Sequence, residues 1–124
     1  MNDTYINNLK EAVQETLERF VETAFYCEAD TAACYPYVVY ELKRLTSRGT
    51  MANYRLSIDV WDKNITYSRA DDIAGRLEKE LDGLRFVNEY LSFVIYTEDD
   101  DHIPDSDRQI KRMRANFTLQ VVFR

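Results

Sequence analysis

Few side chains in this sequence could move a proton, attack an electrophile or hold a metal. There is one histidine, His102, and there are two cysteines, Cys27 and Cys34. A zinc site needs four ligands close together, and two thiols separated by six residues with a single imidazole far along the chain do not supply them. The thiols read as small packing or surface residues of a reducing compartment. His102 sits in an acid-rich stretch, TEDDDHIPDSDR, which reads as a solvated hairpin loop and a poor platform for a general base. The sequence contains no G-x-S-x-G, H-E-x-x-H, phosphate-loop, dinucleotide or C-x-x-C pattern.

The acid run is the sharpest local feature. Glu98, Asp99, Asp100, Asp101, Asp105 and Asp107 fall within ten positions, yet the spacing lacks the glycine at the sixth position and the glutamate at the twelfth that an EF-hand loop requires. Two uses remain for it: repulsion that keeps a sheet edge from pairing, or a docking surface for a basic neighbour. Tyr37, Tyr40, Tyr54, Tyr90 and Tyr96 fall in strand-like runs, where an aromatic body with a polar tip serves protein contacts. Arg112 and Arg114, on the polar side of the last strand, could pair with acids of a neighbouring copy. Arg48 and Met51 lie in the TSRGTMA connection, a second protrusion. No catalytic, cofactor-binding or metal-ligating residue is assigned, and the chain reads as non-enzymatic, a carboxylate-only site being the remaining catalytic option.

The elements that must carry these residues follow from periodicity. Asp3 or Thr4 is placed to cap a helix whose stripe, Ile6, Leu9, Val13, Leu17, Phe20, Val21 and Ala24, predicts about 20 helical residues ending near Phe25. A polar link from Glu28 to Thr31 leads to a β-branched and aromatic strand from Pro36 to Leu45. After Thr46 to Ala52, a second strand alternates Tyr54, Leu56, Ile58 and Val60 against Arg55, Ser57 and Asp59. Asp62 to Thr66 reads as a loop, and Tyr67 or Ser68 opens a helix with Ala70, Ile73, Ala74, Leu77 and Leu81 on one face and Gly83 as its stop. Strands are then expected at Glu89 to Thr97 and Gln109 to Phe123. The sum is an α+β fold in the order αββαββ: a two-layer sandwich with a four-stranded antiparallel sheet and two helices on one face.

The 124 residues bound this to a single domain, 1–124. Acids outnumber Lys plus Arg by 22 to 16, a net charge of -6, which disfavours nucleic acid as a specific partner. No stretch approaches the roughly 20 apolar residues of a membrane span, and the first residues lack a basic-then-apolar leader, so the chain is expected to stay in the cytoplasm where it is made.

Several strings resemble one family. Tyr35-Pro36-Tyr37-Val38-Val39-Tyr40, the strand from Tyr54 to Trp61 with its continuation to Asn64, the helix from Arg69 to Gly83 and the long last strand are similar to bacteriophage tail-terminator or tail-completion (head-tail joining) proteins. The resemblance implies a structural virion protein without catalytic residues, free or prophage-encoded, located in the tail or neck after assembly in the host cytoplasm. It implies a ring, typically a hexamer, that caps the tail tube, stops its growth and joins it to the head connector, with genome DNA passing through. The acidic hairpin from Glu98 to Asp107 and the two cysteines depart from the family pattern. The competing reading is a cytoplasmic non-enzymatic α+β binding or regulatory module that uses the acidic loop.

Overall fold

A computed structural model describes residues 3–29 and 32–124. The first helix, α1 (Asp3–Glu18), buries Leu9, Ala12, Val13 and Leu17 from its apolar stripe. Thr4 lies inside the helix; the Asp3 side chain, and the Asp30–Thr31 part of the polar link, lie outside the described residues. The helix ends seven residues before Phe25. Its last turn tightens as Arg19 and Phe20 donate to the carbonyls of Thr16 and Leu17, and Ala24–Tyr26 leaves the helical path as a short strand, β1. Val21 and Ala24 keep the helical spacing, but the aromatic pair Phe25 and Tyr26 gains more on a pleated surface.

The remaining elements are β2 (Tyr37–Arg48), β3 (Met51–Lys63), α2 (Ser68–Leu81), β4 (Arg85–Val87), β5 (Leu91–Ile103) and β6 (Ile110–Phe123). The sheet order is β1-β2-β3-β6-β5-β4. β1 runs parallel to β2, with Ala24 opposite Val38, and every other pair is antiparallel. The expected four-stranded antiparallel sheet of a two-layer sandwich is therefore replaced by a mixed, six-stranded and strongly curled half-barrel. Two of its strands are only three residues long, too short for alternation to reveal. Long strands with accumulated twist curl rather than stay flat.

β2, β3 and β5 outrun their expected ends, whereas β6 closely matches its expected span. The Thr46–Ala52 connection is mostly ladder: Thr46, Ser47 and Arg48 pair with Asn53, Ala52 and Met51, leaving only Gly49 and Thr50 as the turn. Gly49 adopts φ +60°, the left-handed conformation that a two-residue hairpin turn uses. The acidic segment is likewise a strand through Ile103, and only 104–109 connects β5 to β6. Asp62 and Lys63 belong to β3, not to a loop, and Tyr90 lies in the turn before β5.

One contiguous core joins both helices to one sheet face. Leu56, Ile58 and Val60 of β3, Ala115, Phe117 and Leu119 of β6, and Ala70, Ala74, Leu77 and Leu81 of α2 meet there. Gly83, at φ +76°, ends α2, and its N–H donates to the Ile95 carbonyl. Among the described residues the opposite sheet face carries no helix, and it is the surface on which most of the candidate side chains are displayed.

Candidate assembly interface

The ladder register lays the open face out in rows. One row runs Tyr37, Trp61, Arg112, Ile103 and the next runs Val39, Asp59, Arg114, Asp101. Asp59 is 5% exposed although it lies on the helix-free face. Arg114 Nε and Arg112 Nη2 each reach it at 2.7 Å, and Arg114 Nη2 at 3.1 Å. Burial pushes the Asp59 carboxyl up, but these charged hydrogen bonds outweigh it and hold the group below the usual carboxylate range. Arg112 and Arg114, expected to seek acids on a neighbour, are thus engaged within their own chain.

Trp61 covers the cluster from one side. The Arg112 guanidinium lies 4.7 Å from its ring centre, and Tyr37 stacks on it at 6.4 Å. Tyr35 and Phe25 extend this aromatic group past Tyr37, at 5.2 and 5.9 Å. Tyr40 turns the other way. It is 1% exposed, its hydroxyl donates to Gln14 Oε1 at 2.7 Å, and burial pushes the phenol up to about 12. It serves the core and has no surface to offer a neighbour.

The remaining candidates separate into two groups at opposite ends of the sheet. Arg48 and the 60%-exposed Met51 flank the β2–β3 turn. Lys43, Arg44 and Arg55 lie close by, and residues 42–58 contain no acid. Among the described residues no ion pair engages these four bases. A cleft of about 690 Å³ on the open face runs from this hairpin to β4. At the other end, Glu98, Asp99, Asp100 and Asp101 project from β5. A bulge after Thr97 lets Glu98 accept from Thr118 Oγ1 at 2.8 Å and Asp99 from Asn116 Nδ2 at 2.7 Å, both neutral donors that leave the charge in place. Tyr96 and Tyr90 are 42% and 49% exposed, away from the aromatic group.

Across the bulge Asp100 and His102 face α2. His102 Nε2 lies 2.7 Å from Asp71 Oδ1, with its ring against Tyr67 at 4.3 Å, so this histidine is held by α2 rather than carried on a loop. Glu78 meets Asp100, and burial first, then the hydrogen bond and charge of Asp100, raise its carboxyl to about 7. Neither carboxyl lines the open-face cleft. At the end of β3, Asp62 is fully buried and accepts from Arg69 Nε at 3.0 and 3.1 Å and from the Lys63 N–H at 2.8 Å. Burial raises Asp62 and the bonds from Arg69 and Lys63 more than offset it, so it too stays below the usual range.

Asp59, Trp61, Asp62 and Glu78 are not among the candidates that the sequence offers, and the hairpin is offered through Arg48 and Met51 as a protrusion and not for its charge. The hairpin had a legible signal, four bases in an acid-free span. The other residues owe their roles to register and to helix placement. No helix among the described residues is long and apolar enough to cross a membrane, and no group of three or more metal-ligating side chains converges among them.

No protein-family model matches the sequence, and no curated protein does. Among solved structures, the fold is similar to that of a chain described as belonging to the "Virion of native gene transfer agent (GTA) particle". The two superpose with a TM-score of 0.72 and 17% identity, over 92% of this chain and 94% of the other. The chain therefore shares, over nearly its whole length, the fold of that virion component.

Proposed function

We propose that this chain is a phage-like virion structural protein, and more specifically a tail-terminator or tail-completion subunit. In that role a single domain forms a ring, with six copies expected, that caps the tail tube and meets the head connector. The observation that carries the reading is the fold shared with a gene transfer agent virion chain across more than nine-tenths of both chains. The strings at Tyr35–Tyr40, Tyr54–Trp61 and Arg69–Gly83 point the same way. The surface suits assembly: the helix-free face is laid out in cross-strand rows of charged, aromatic and polar side chains, and the charge cluster around Asp59 is paired within the chain.

The test is assembly itself. Light scattering on concentrated protein, followed by negative-stain images with and without purified tail tubes, is expected to show rings alone or seated on tube ends. A chain that stays monomeric at high concentration and leaves tube ends bare defeats the reading.

A further inference from the structure

We infer that neighbouring copies join edge to edge, the basic outer edge of β2 in one copy pairing with the acidic outer edge of β5 in the next. This rests on the assembly reading above and specifies its contact. The long strands are only partly covered at the rims of the sheet. β1 pairs with β2 at Val38–Tyr40, and the last backbone bond on that side is from Cys27 N–H to the Tyr40 carbonyl. β4 pairs with β5 at Ser92–Val94, and beyond it the segment 82–84 bonds to the β5 backbone as far as Thr97, while α2 meets Asp100 and His102 on the helix face. Among the described residues no strand covers 41–48 of β2 or 98–103 of β5. Each is a run of unpaired backbone groups, about 20 Å or more in length at a strand's rise per residue.

The two edges match in direction, position and charge. Because the pairs between β2 and β5 alternate antiparallel across the sheet, β2 of one copy meets β5 of a like-oriented neighbour antiparallel. The covering strands sit at opposite ends, so a neighbour's β5 enters the lane beyond β1, and the neighbour's β4 falls past the β2–β3 turn. Register puts Lys43 and Arg48 on the open face, with the acid Glu41 beside the end that β1 covers, and Arg44 on the helix face. It puts Asp101 on the open face, with Glu98 and Asp99 reaching there through their bonds to Thr118 and Asn116, and Asp100 on the helix face. Opposite charges therefore meet on both faces of a continued sheet. Two β5 edges, or two β2 edges, repel each other. Pairing is head to tail, the kind of contact that closes into a ring or runs on as a filament.

The experiment compares wild type with K43E/R44E/R48E, with E98K/D99K/D101K, and with the chain carrying both sets, by sedimentation velocity, after circular dichroism has confirmed folding. Each single set is expected to weaken self-association at least tenfold. An equimolar mixture of the two, and the chain with both, is expected to restore it. If a reversal fails to fold, K43Q/R44Q/R48Q replaces it, with a smaller loss in the same direction. Assembly insensitive to the reversals, folded variants that fail to complement in the mixture, or a wild type that never self-associates overturns the inference. So does a basic edge whose reversal abolishes salt-dependent binding to duplex DNA while self-association is untouched. Rings that ignore the reversals leave the tail-terminator reading standing, whereas charge-dependent filaments without rings uphold the edge contact and defeat that reading.

Discussion

Asp59 is a buried carboxylate on the helix-free face of the sheet, held there by Arg112 and Arg114. Its place on the polar side of the β3 alternation was visible, but its near-complete burial was not, because that depends on Arg114 directly across the β3–β6 register, on Arg112 in the adjacent row and on Trp61 opposite Arg112. Removing one partner of such a cluster leaves the others unpaired. Asp59→Asn is expected to cost about 2–4 kcal/mol, read as a lower urea midpoint. Ser57→Ala, which removes one hydrogen bond to Asn116 in the next row, is expected to cost about 1 kcal/mol or less. Glu78 carries the opposite sign. Its folded carboxyl titrates near 7 against an ordinary 4.5 because it is half-buried against Asp100, with Asp82, Asp71 and His102 on the same side of α2 and β5. A raised carboxyl means that the folded state holds the proton longer, so stability falls as pH rises from about 4.5 to 7. Glu78→Gln is expected to remove that slope and, discounting for partial solvent exposure, to stabilise the protein by about 1–2 kcal/mol at pH 8 while changing little at pH 4. Asp59 and Asp62 bound the acid side: their depressed values confer stability that is present above the ordinary carboxylate range and lost as pH falls through their folded values.

At the scale of elements, long periodic segments were legible and short or context-dependent ones were not. The α2 stripe and its glycine stop were readable because helix period and left-handed termination are local properties. Gly83 meets nothing within 4 Å of an added Cβ, so its requirement is purely conformational. Gly83→Ala is therefore expected to cost about 1 kcal/mol, measured as a drop in thermal midpoint, with no loss of packing. The end of α1 and the birth of β1 were not readable, since Val21 and Ala24 satisfy helical spacing and only the parallel partner at Val38–Tyr40 makes a strand of Ala24–Tyr26. The two apparent loops were misjudged for a related reason. Thr46–Arg48 and Glu98–Ile103 have turn-like and acidic compositions, and pairing overrides composition once bulges at Leu45 and at 98–99 re-aim the strands. The acid-rich stretch is thus a displayed strand edge, which changes what Glu98, Asp99 and Asp101 can do: they present charge in a fixed row.

For the whole molecule, the net charge of -6 conceals a polarity more informative than its sum. Residues 42–58 hold four bases and no acid, while residues 97–108 hold six acids and one arginine, and the antiparallel ladder carries the two to opposite ends and opposite edges of one sheet. A uniformly acidic protein associates more readily as salt screens its self-repulsion. A polarised one that joins basic edge to acidic edge does the reverse, because the attraction is local and the strand-edge charges are solvent-exposed. The screening length shortens from about 10 Å at 0.1 M salt to about 3 Å at 1 M. Self-association of the wild type is accordingly expected to weaken steadily from about 0.05 to 0.5 M sodium chloride, as followed by the weight-average sedimentation coefficient at fixed protein concentration. Apolar contacts through Met51, Val87 and Val122 around the open-face cleft would instead hold or strengthen with salt. The slope therefore decides whether charge at the strand edges or apolar surface at the cleft brings copies together, and a flat or rising curve rules out the edge-to-edge contact as the main one.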